Sequence, residues 1–179
     1  MNFSNEVEAA CARLSARDSS REQFVEECVR ITARAVGSTR AGLWVFASAE
    51  RERLMRCLGM YDQRKGAMIA VADRSEDGAA AYFAELDRIG HVVARDARSH
   101  PATRSFFEGR LSDRGVRSLM AASFSLNGKM LGAFTCTQVD EPMNWSIRQL
   151  SILTRIGSRA TLALASSSPN QLTSWLAPL

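Results

Sequence analysis

Apolar residues recur at helical spacing near the start of the chain. Between about Glu6 and Ala16 they predict a short amphipathic helix, in which the apolar positions are Val7, Ala10, Cys11 and Leu14. A second helix is predicted after Ser20, because Ser20 and Gln23 fit a capping box. Its apolar face comprises Phe24, Cys28, Ile31 and Ala35. Gly37 suits the left-handed position that ends a helix.

Three short strands are predicted next. Ala41 to Phe46 is apolar on both faces, as expected of a central strand that is covered on two sides. Leu54 to Tyr61 is expected to pair with it across the polar loop from Ala49 to Arg53, and Ala67 to Val71 follows as a third strand. The pattern indicates an antiparallel meander.

The spacing of the apolar residues then becomes helical on both sides of one short strand. A helix is predicted to start after Asp77 and to end near Gly90, followed by a strand at His91 to Ala94. A second short helix is predicted to begin at Pro101, since proline suits the first helical position. It would carry Phe106, Phe107 and Leu111 on its apolar face.

A hairpin is the clearest local signal. Leu119 to Leu126 and Lys129 to Val139 flank Asn127-Gly128, two residues that tolerate the positive φ values of a type I′ turn. Gly132 is expected either to allow close packing or to mark a bend.

A long final helix is predicted after Ser146, which forms a capping box with Gln149. Its apolar stripe can face a sheet or a partner helix and comprises Leu150, Leu153, Ile156, Ala160, Ala163 and Leu164. We expect a helical extension at residues 1–19, one domain at residues 20–165 and a tail at residues 166–179. Within the tail, Leu172, Trp175 and Leu176 stand at helical spacing. Docking of this segment on a partner or on the second copy of a dimer and a loosely ordered tail are equally supported.

Composition narrows the class of protein. The 179 residues are 46% hydrophobic and 23% charged, which fits one globular domain. No apolar run reaches the roughly 20 residues of a membrane span, so we expect a cytoplasmic protein without membrane contact. The net charge is +4, but the basic residues are scattered without a stripe, and nucleic acid is therefore not an expected partner.

Cysteine and histidine offer little catalytic chemistry. The four cysteines lie far apart with no metal-ligand spacing, so they are interpreted as reduced thiols and no metal is expected. His91 and His100 are interpreted as structural, because neither has a nucleophile or carboxylate at a suggestive spacing.

Several motifs in a fixed order resemble those of a GAF domain. They are Tyr82-Phe83, Asp96-Ala97 ahead of His100-Pro101, Gly115 to Ser118, Gly132-Ala133-Phe134 and Trp145-Ser146. The resemblance covers roughly Arg21 to Ala165 and is strongest to the GAF domains that precede histidine kinases and diguanylate cyclases in bacteria. It implies an α+β fold with a central antiparallel sheet of about six strands. The N- and C-terminal helices would pack on one face, and shorter helices and loops would form a ligand cleft on the other.

The chain also departs from that subgroup. Gly59 and Ala121-Ala122 stand where the subgroup usually has aspartate, and Ala80-Ala81 stands where it has proline, so the specific ligand is not carried over. The predicted helix from Pro101 to Leu111 lacks the cysteine to which phytochrome-type GAF domains attach a bilin, so no covalent bilin is expected. The signature of cyclic-nucleotide GAF domains is absent as well.

The predicted cleft has a small set of candidate ligand contacts. These are Trp44, Phe83, Leu86, Asp96, Phe106, Phe107 and Leu111. Most of the apolar ones must also belong to the core. Asp96 follows a strand, where it could bind a polar ligand or position Arg98, and turn chemistry is the favoured interpretation.

The family resemblance implies a noncatalytic sensory or regulatory module of a bacterial signalling system. Such a module would bind an unknown small molecule or a partner protein, form a homodimer through its first and last helices, and act on an effector protein in trans. A free methionine sulfoxide reductase of the GAF type is the alternative, although its clustered cysteines are not matched here. A dimerisation scaffold without a ligand is the third possibility.

Overall fold

The computed structural model describes residues 2–48, 53–75, 78–108 and 111–167. The described helices are α1 (Phe3–Ala16), α2 (Arg21–Val36), α3 (Ala80–Ile89), α4 (Arg104–Phe107) and α5 (Ile147–Ser167), with a 3₁₀ turn at Ser112–Arg114. The described strands are β1 (Arg40–Ser48), β2 (Arg53–Asp62), β3 (Ala67–Met68), β4 (Arg74–Ser75), β5 (His91–Ala94), β6 (Val116–Leu126) and β7 (Lys129–Val139).

The strands form one antiparallel sheet. Six of them lie in the order β3-β2-β1-β7-β6-β5, and the two-residue β4 pairs with β2 beside this path. Helices α1, α2 and α5 pack together on one face, while α3 and α4 lie over the other. The predicted α+β fold with N- and C-terminal helices on the same face is confirmed.

Local sequence signals account for the ends of the helices. Ser20 Oγ accepts from the Gln23 backbone N–H at 3.2 Å, and the Gln23 side chain accepts from the Ser20 N–H at 2.8 Å, which completes the predicted capping box. Ser146 and Gln149 repeat this exchange at the start of α5. The Gln149 amide also donates to the Val36 carbonyl at 2.8 Å, so one side chain both caps α5 and ties it to the end of α2.

Strand alternation divides the core into two layers. In β1, Leu43 and Val45 contact the helix side, and Trp44 and Phe46 contact the side of α3. Both faces are apolar because both are covered, as the sequence predicts for a central strand. Helix α1 belongs to the helix layer, since Val7, Ala10 and Leu14 are buried there.

The hairpin has the predicted turn. Asn127 and Gly128 have φ values of 51° and 77°, the signs that a type I′ turn requires. Gly132 lies where a Cβ would stand 2.0 Å from the Trp44 carbonyl oxygen and 2.5 Å from the Phe124 ring. The β6–β7 register also shifts between Phe124 and Ser125. Gly132 therefore combines close packing with a position beside an irregularity in the strand register.

Some predicted boundaries were wrong. Helix α4 begins at Arg104, because Pro101 to Thr103 form a turn instead, and α4 ends before Leu111. The third strand stops at Met68 rather than Val71, and β4 was not predicted. Helix α5 continues through Ser167, past the predicted break at Ser166. The tail segment from Gln171 to Leu179 and most of the loop from Ala49 to Arg53 lie outside the described residues. Within the described residues, none of the helices has the length and apolar character needed to cross a membrane.

Candidate functional site

A cavity of about 380 Å³ lies between the sheet and the segments that cover its α3 face. Its floor consists of side chains from β1, β2, β6 and β7, and its roof comes from α3, α4, the 3₁₀ turn and the segment around β3. The apolar lining consists of Trp44, Met55, Met60, Ile69, Ala70, Ala79, Tyr82, Phe106, Leu111, Val116 and Leu119. The polar lining consists of Arg40, Lys65, Asp113, Arg114, Thr135 and Thr137.

Aromatic side chains form one end of the cavity. The Trp44 indole N–H donates to Thr135 Oγ1 at 3.1 Å, which fixes the ring against the floor. The Tyr82 ring meets Phe83 and Phe106 edge to face, with centroids 5.7 Å and 5.5 Å apart. Such pairs hold rings in defined orientations. This end of the cavity is therefore preformed.

Two hydroxyl groups of the lining have unused hydrogen-bonding capacity. Tyr82 is only 2% exposed and Thr137 only 7%. In the described residues neither hydroxyl has a hydrogen-bond partner. Burial raises the pKa of Tyr82, so its phenol is neutral and able to donate. These two hydroxyls are thus available to a bound molecule or water.

An ion pair organises the opposite end. Arg40 donates through Nε to Asp62 Oδ2 at 2.7 Å and through Nη1 to the Arg114 carbonyl at 3.0 Å. The other Asp62 oxygen accepts from the backbone N–H groups of Arg64 at 3.0 Å and Lys65 at 3.2 Å. Arg40 and Asp62 together thus connect the turn after β2 with the 3₁₀ turn.

The electrostatics of Asp62 follow from these contacts. Burial alone would raise the pKa of its carboxyl, but the Arg40 hydrogen bond and charge and the two backbone donors outweigh burial and lower the pKa. Asp62 is 2% exposed and the Arg40 side chain 17%. The pair is therefore charged and largely withdrawn from solvent.

Two further cations stand beside this pair. Among the described residues, neither the Lys65 ammonium nor the Arg114 guanidinium takes part in an ion pair or side-chain hydrogen bond. Asp113 is exposed and accepts only a long bond of 3.4 Å from Ser112. Because Asp62 already neutralises Arg40, the remaining charge at this end is positive.

The candidate residues from the sequence occupy different places. Trp44, Phe106 and Leu111 line the cavity. Phe83 and Leu86 are 1% exposed and lie in the core behind it, where Phe83 meets Phe46 edge to face at 5.0 Å. Phe107 is also buried and is not part of the described lining.

Asp96 also lies apart from the cavity lining. Its Oδ1 accepts from the Arg98 backbone N–H at 3.0 Å, and its Oδ2 contacts the Arg98 and Arg117 guanidinium groups at 2.8 Å and 3.9 Å. Its carboxylate is thus engaged in the turn after β5 and positions Arg98.

Sequence reasoning missed the polar lining. Arg40 and Trp44 share a face of β1 because side chains alternate along a strand, and Thr135 and Thr137 alternate in the same way within the apolar β7. Threonines at every second position of an apolar strand were the available signal. Lys65 and Arg114 gave none, because only tertiary structure brings their turns together.

Cysteine and histidine contribute nothing to the described lining. Cys28 and Cys136 are buried on the helix side, and burial raises the pKa of both thiols, that of Cys136 to about 12. The Ala102 N–H donates to His100 Nδ1 at 3.2 Å, and His91 Nδ1 lies 3.0 Å from the Ile89 carbonyl. Among the described residues, no group of three or more histidine, cysteine or acidic side chains could hold a metal.

Comparison with known proteins identifies the domain type. Residues 20–164 match the family model described as GAF domain. Among curated proteins, no sequence matches the chain significantly.

Solved structures of low sequence identity share the fold. The phycoerythrobilin-bound GAF domain of a cyanobacterial phytochrome has a TM-score of 0.73 at 13% identity, over 96% of this chain and 98% of that one. The GAF domain of the cyanobacteriochrome TePixJ has a TM-score of 0.63 at 16% identity, over 83% and 91%. The Stigmatella aurantiaca phytochrome photosensory core module has a TM-score of 0.68 at 18% identity, and the match covers 94% of this chain but 37% of that longer one.

Proposed function

This chain belongs to the GAF domain family, and we propose that it is a noncatalytic sensory module that binds a small molecule in the cavity and relays its presence to a partner. GAF domains are generally sensory or regulatory modules that bind small molecules. The observation that carries the proposal is the cavity of about 380 Å³, since that volume lies within the range of roughly 300–1,000 Å³ typical of small-molecule sites.

We place the chain in bacterial signal transduction, in the cytoplasm. Two observations support this placement: its motifs resemble those of GAF domains that precede histidine kinases and diguanylate cyclases, and its four cysteines are free thiols. The phytochrome and cyanobacteriochrome neighbours support the fold alone. No thiol lies in the described lining, so a covalently attached bilin does not fit this cavity.

Dimerisation through α1 and α5 would connect the cavity to an output in trans. Helix α5 exposes Ile147 to 89% and Leu162 to 60%, two large apolar side chains on the layer opposite the cavity. Burying them against a second copy would remove apolar area from water. Leu162→Glu is expected to lower the dimer fraction in native mass spectrometry, whereas an unchanged fraction would place the dimer contact elsewhere.

Ligand binding is tested by thermal shift against a panel of small metabolites. A molecule that binds only the folded protein raises Tm. The shift should be lost in Leu111→Trp, which adds bulk to the lining, and kept in Ile89→Trp, which adds the same ring to an exposed position at the end of α3 outside the described lining. A panel without a single Leu111-dependent shift would favour the ligand-free scaffold.

Turnover separates the sensory function from the reductase alternative. The protein is expected not to consume free methionine sulfoxide in the presence of dithiothreitol, because none of its four thiols lies in the described cavity lining. Those of Cys28 and Cys136 are also buried on the helix side, and their raised pKa values disfavour the thiolate nucleophile. Cysteine-dependent turnover would replace the sensory proposal with an enzymatic one.

A further inference from the structure

The two ends of the cavity differ in chemistry, and strand β1 sets the distance between them. Arg40 and Trp44 lie on the same face of β1, four residues apart, in a stretch that pairs regularly with β7. At about 3.3 Å per residue their Cα atoms are roughly 13 Å apart. An elongated molecule is therefore the shape that can reach both ends.

The Arg40 end is suited to an anion. Lys65 and Arg114 line it without charge partners among the described residues, and the Arg40–Asp62 pair holds the backbone of both. Asp113 is the one carboxylate of the described lining. Two unpaired cations and one carboxylate leave a single net positive charge, which one anionic group would neutralise.

The Trp44 end is suited to an apolar or aromatic group. Met55 and Phe106 stand with Trp44 in the lining, and the edge-to-face contacts of Tyr82 hold its ring in place. Aromatic and thioether side chains favour contact with ring systems. The free Tyr82 hydroxyl adds one donor within an otherwise apolar wall.

We infer that the ligand of this site is an elongated, singly charged amphipathic anion, with its anionic group at Lys65 and Arg114 and its apolar or aromatic body at Trp44 and Tyr82. This inference rests on the proposed function. It narrows the ligand to organic monoanions such as arylalkyl carboxylates or sulfonates and disfavours neutral or cationic molecules of the same size.

A pair of fluorescent probes isolates the charge. The probe 2-(p-toluidino)naphthalene-6-sulfonate is elongated and carries its anion at one end, and N-(p-tolyl)-2-naphthylamine has the same aromatic body without the sulfonate. Each is titrated into the intact chain at low and high salt. The sulfonate is expected to bind at least about tenfold more tightly than the neutral probe, because it can accept charge-assisted hydrogen bonds. This difference in affinity should shrink at high salt, which screens the charges.

The variant K65Q/R114Q tests the position of the anion. It should reduce sulfonate affinity to that of the neutral probe and leave the neutral probe unchanged. K129Q/R148Q is the matched control, because it removes the same two charges from exposed positions at the start of β7 and on α5. The control is expected to retain the sulfonate preference.

The outcomes separate this inference from the proposed function. Equal affinity for both probes, or an unchanged sulfonate affinity in K65Q/R114Q, would overturn the anion assignment while the cavity remains a small-molecule site. Binding of neither probe, or binding that Leu111→Trp does not reduce, would contradict ligand binding in the cavity itself.

Discussion

Removing the charge of Asp62 should destabilise the fold well beyond the effect of a surface ion pair. Asp62 is 2% exposed and bonded to Arg40, whose own side chain is 17% exposed. Breaking a fully buried pair costs about 3–5 kcal/mol, because the remaining charge stays buried without a partner. Since water reaches part of Arg40, we expect Asp62→Asn to lower the free energy of unfolding by about 2–3 kcal/mol.

Denaturant unfolding of a double-mutant cycle measures this value. Asp62→Asn, Arg40→Met and the double variant are compared at pH 7, and the double variant should lose less than the two single losses added together, because residues in one network couple. Asp140→Asn is the control, since it removes a pair with Arg64 whose side chains are 62% and 54% exposed. That loss should stay below about 1 kcal/mol.

The pH dependence gives an independent test of the same pair. Because folding lowers the pKa of Asp62, its contribution to stability is complete above the unfolded pKa of about 3.9 and is lost as pH falls through the lower folded value. The stability gap between the wild type and Asp62→Asn should therefore close in acid. A gap below about 0.5 kcal/mol at pH 7, or one that is constant down to pH 3, would refute the reasoning.

Three other predictions follow from single contacts. Gly132→Ala would place its Cβ 2.0 Å from the Trp44 carbonyl oxygen, so we expect a loss of about 3 kcal/mol or more in denaturant unfolding; a loss below about 1 kcal/mol would show that the sheet relaxes. Ser20→Ala removes the cap of α2 and should cost about 1 kcal/mol in the same assay. The Arg98 side chain and backbone hydrogen bonds hold the pKa of Asp96 at about 2, so the stability difference between the wild type and Asp96→Asn should vanish as pH falls from about 5 to 2; a difference that grows in acid would contradict this.

The sequence predicted those parts of the fold that depend on near neighbours. Capping pairs such as Ser20 with Gln23 join residues three apart, and the turn at Asn127-Gly128 depends on two adjacent residues. Their geometry therefore depends on short segments of the sequence. The packing face of α5 could be predicted as well, because the apolar stripe on this helix repeats at helical spacing.

The parts that could not be predicted depend on distant residues. Strand β3 ends at Met68, and only two residue pairs join it to β2. The apolar pattern, which continues to Val71, does not reveal this limit. The cavity lining is a stronger case. Hydrogen bonds of Asp62 to the Arg40 side chain and the Lys65 backbone, and of Arg40 to the Arg114 carbonyl, bring these residues to one end of the cavity. No spacing in the sequence indicates that they lie together.

Strand β7 offers a short connection between the cavity and α5, the helix of the proposed dimer contact. Thr135 and Thr137 line the cavity, while Phe134 and Cys136, which alternate with them along the strand, face the helix layer. The Phe134 ring lies so close to Gly157 of α5 that a Cβ there would stand 3.4 Å from it. Packed interiors transmit displacement because they have little free volume. A ligand that moves Thr135 would therefore act on α5 through one intervening residue, and this geometry suits the proposed module, in which the cavity and the proposed output surface lie on opposite faces of one sheet.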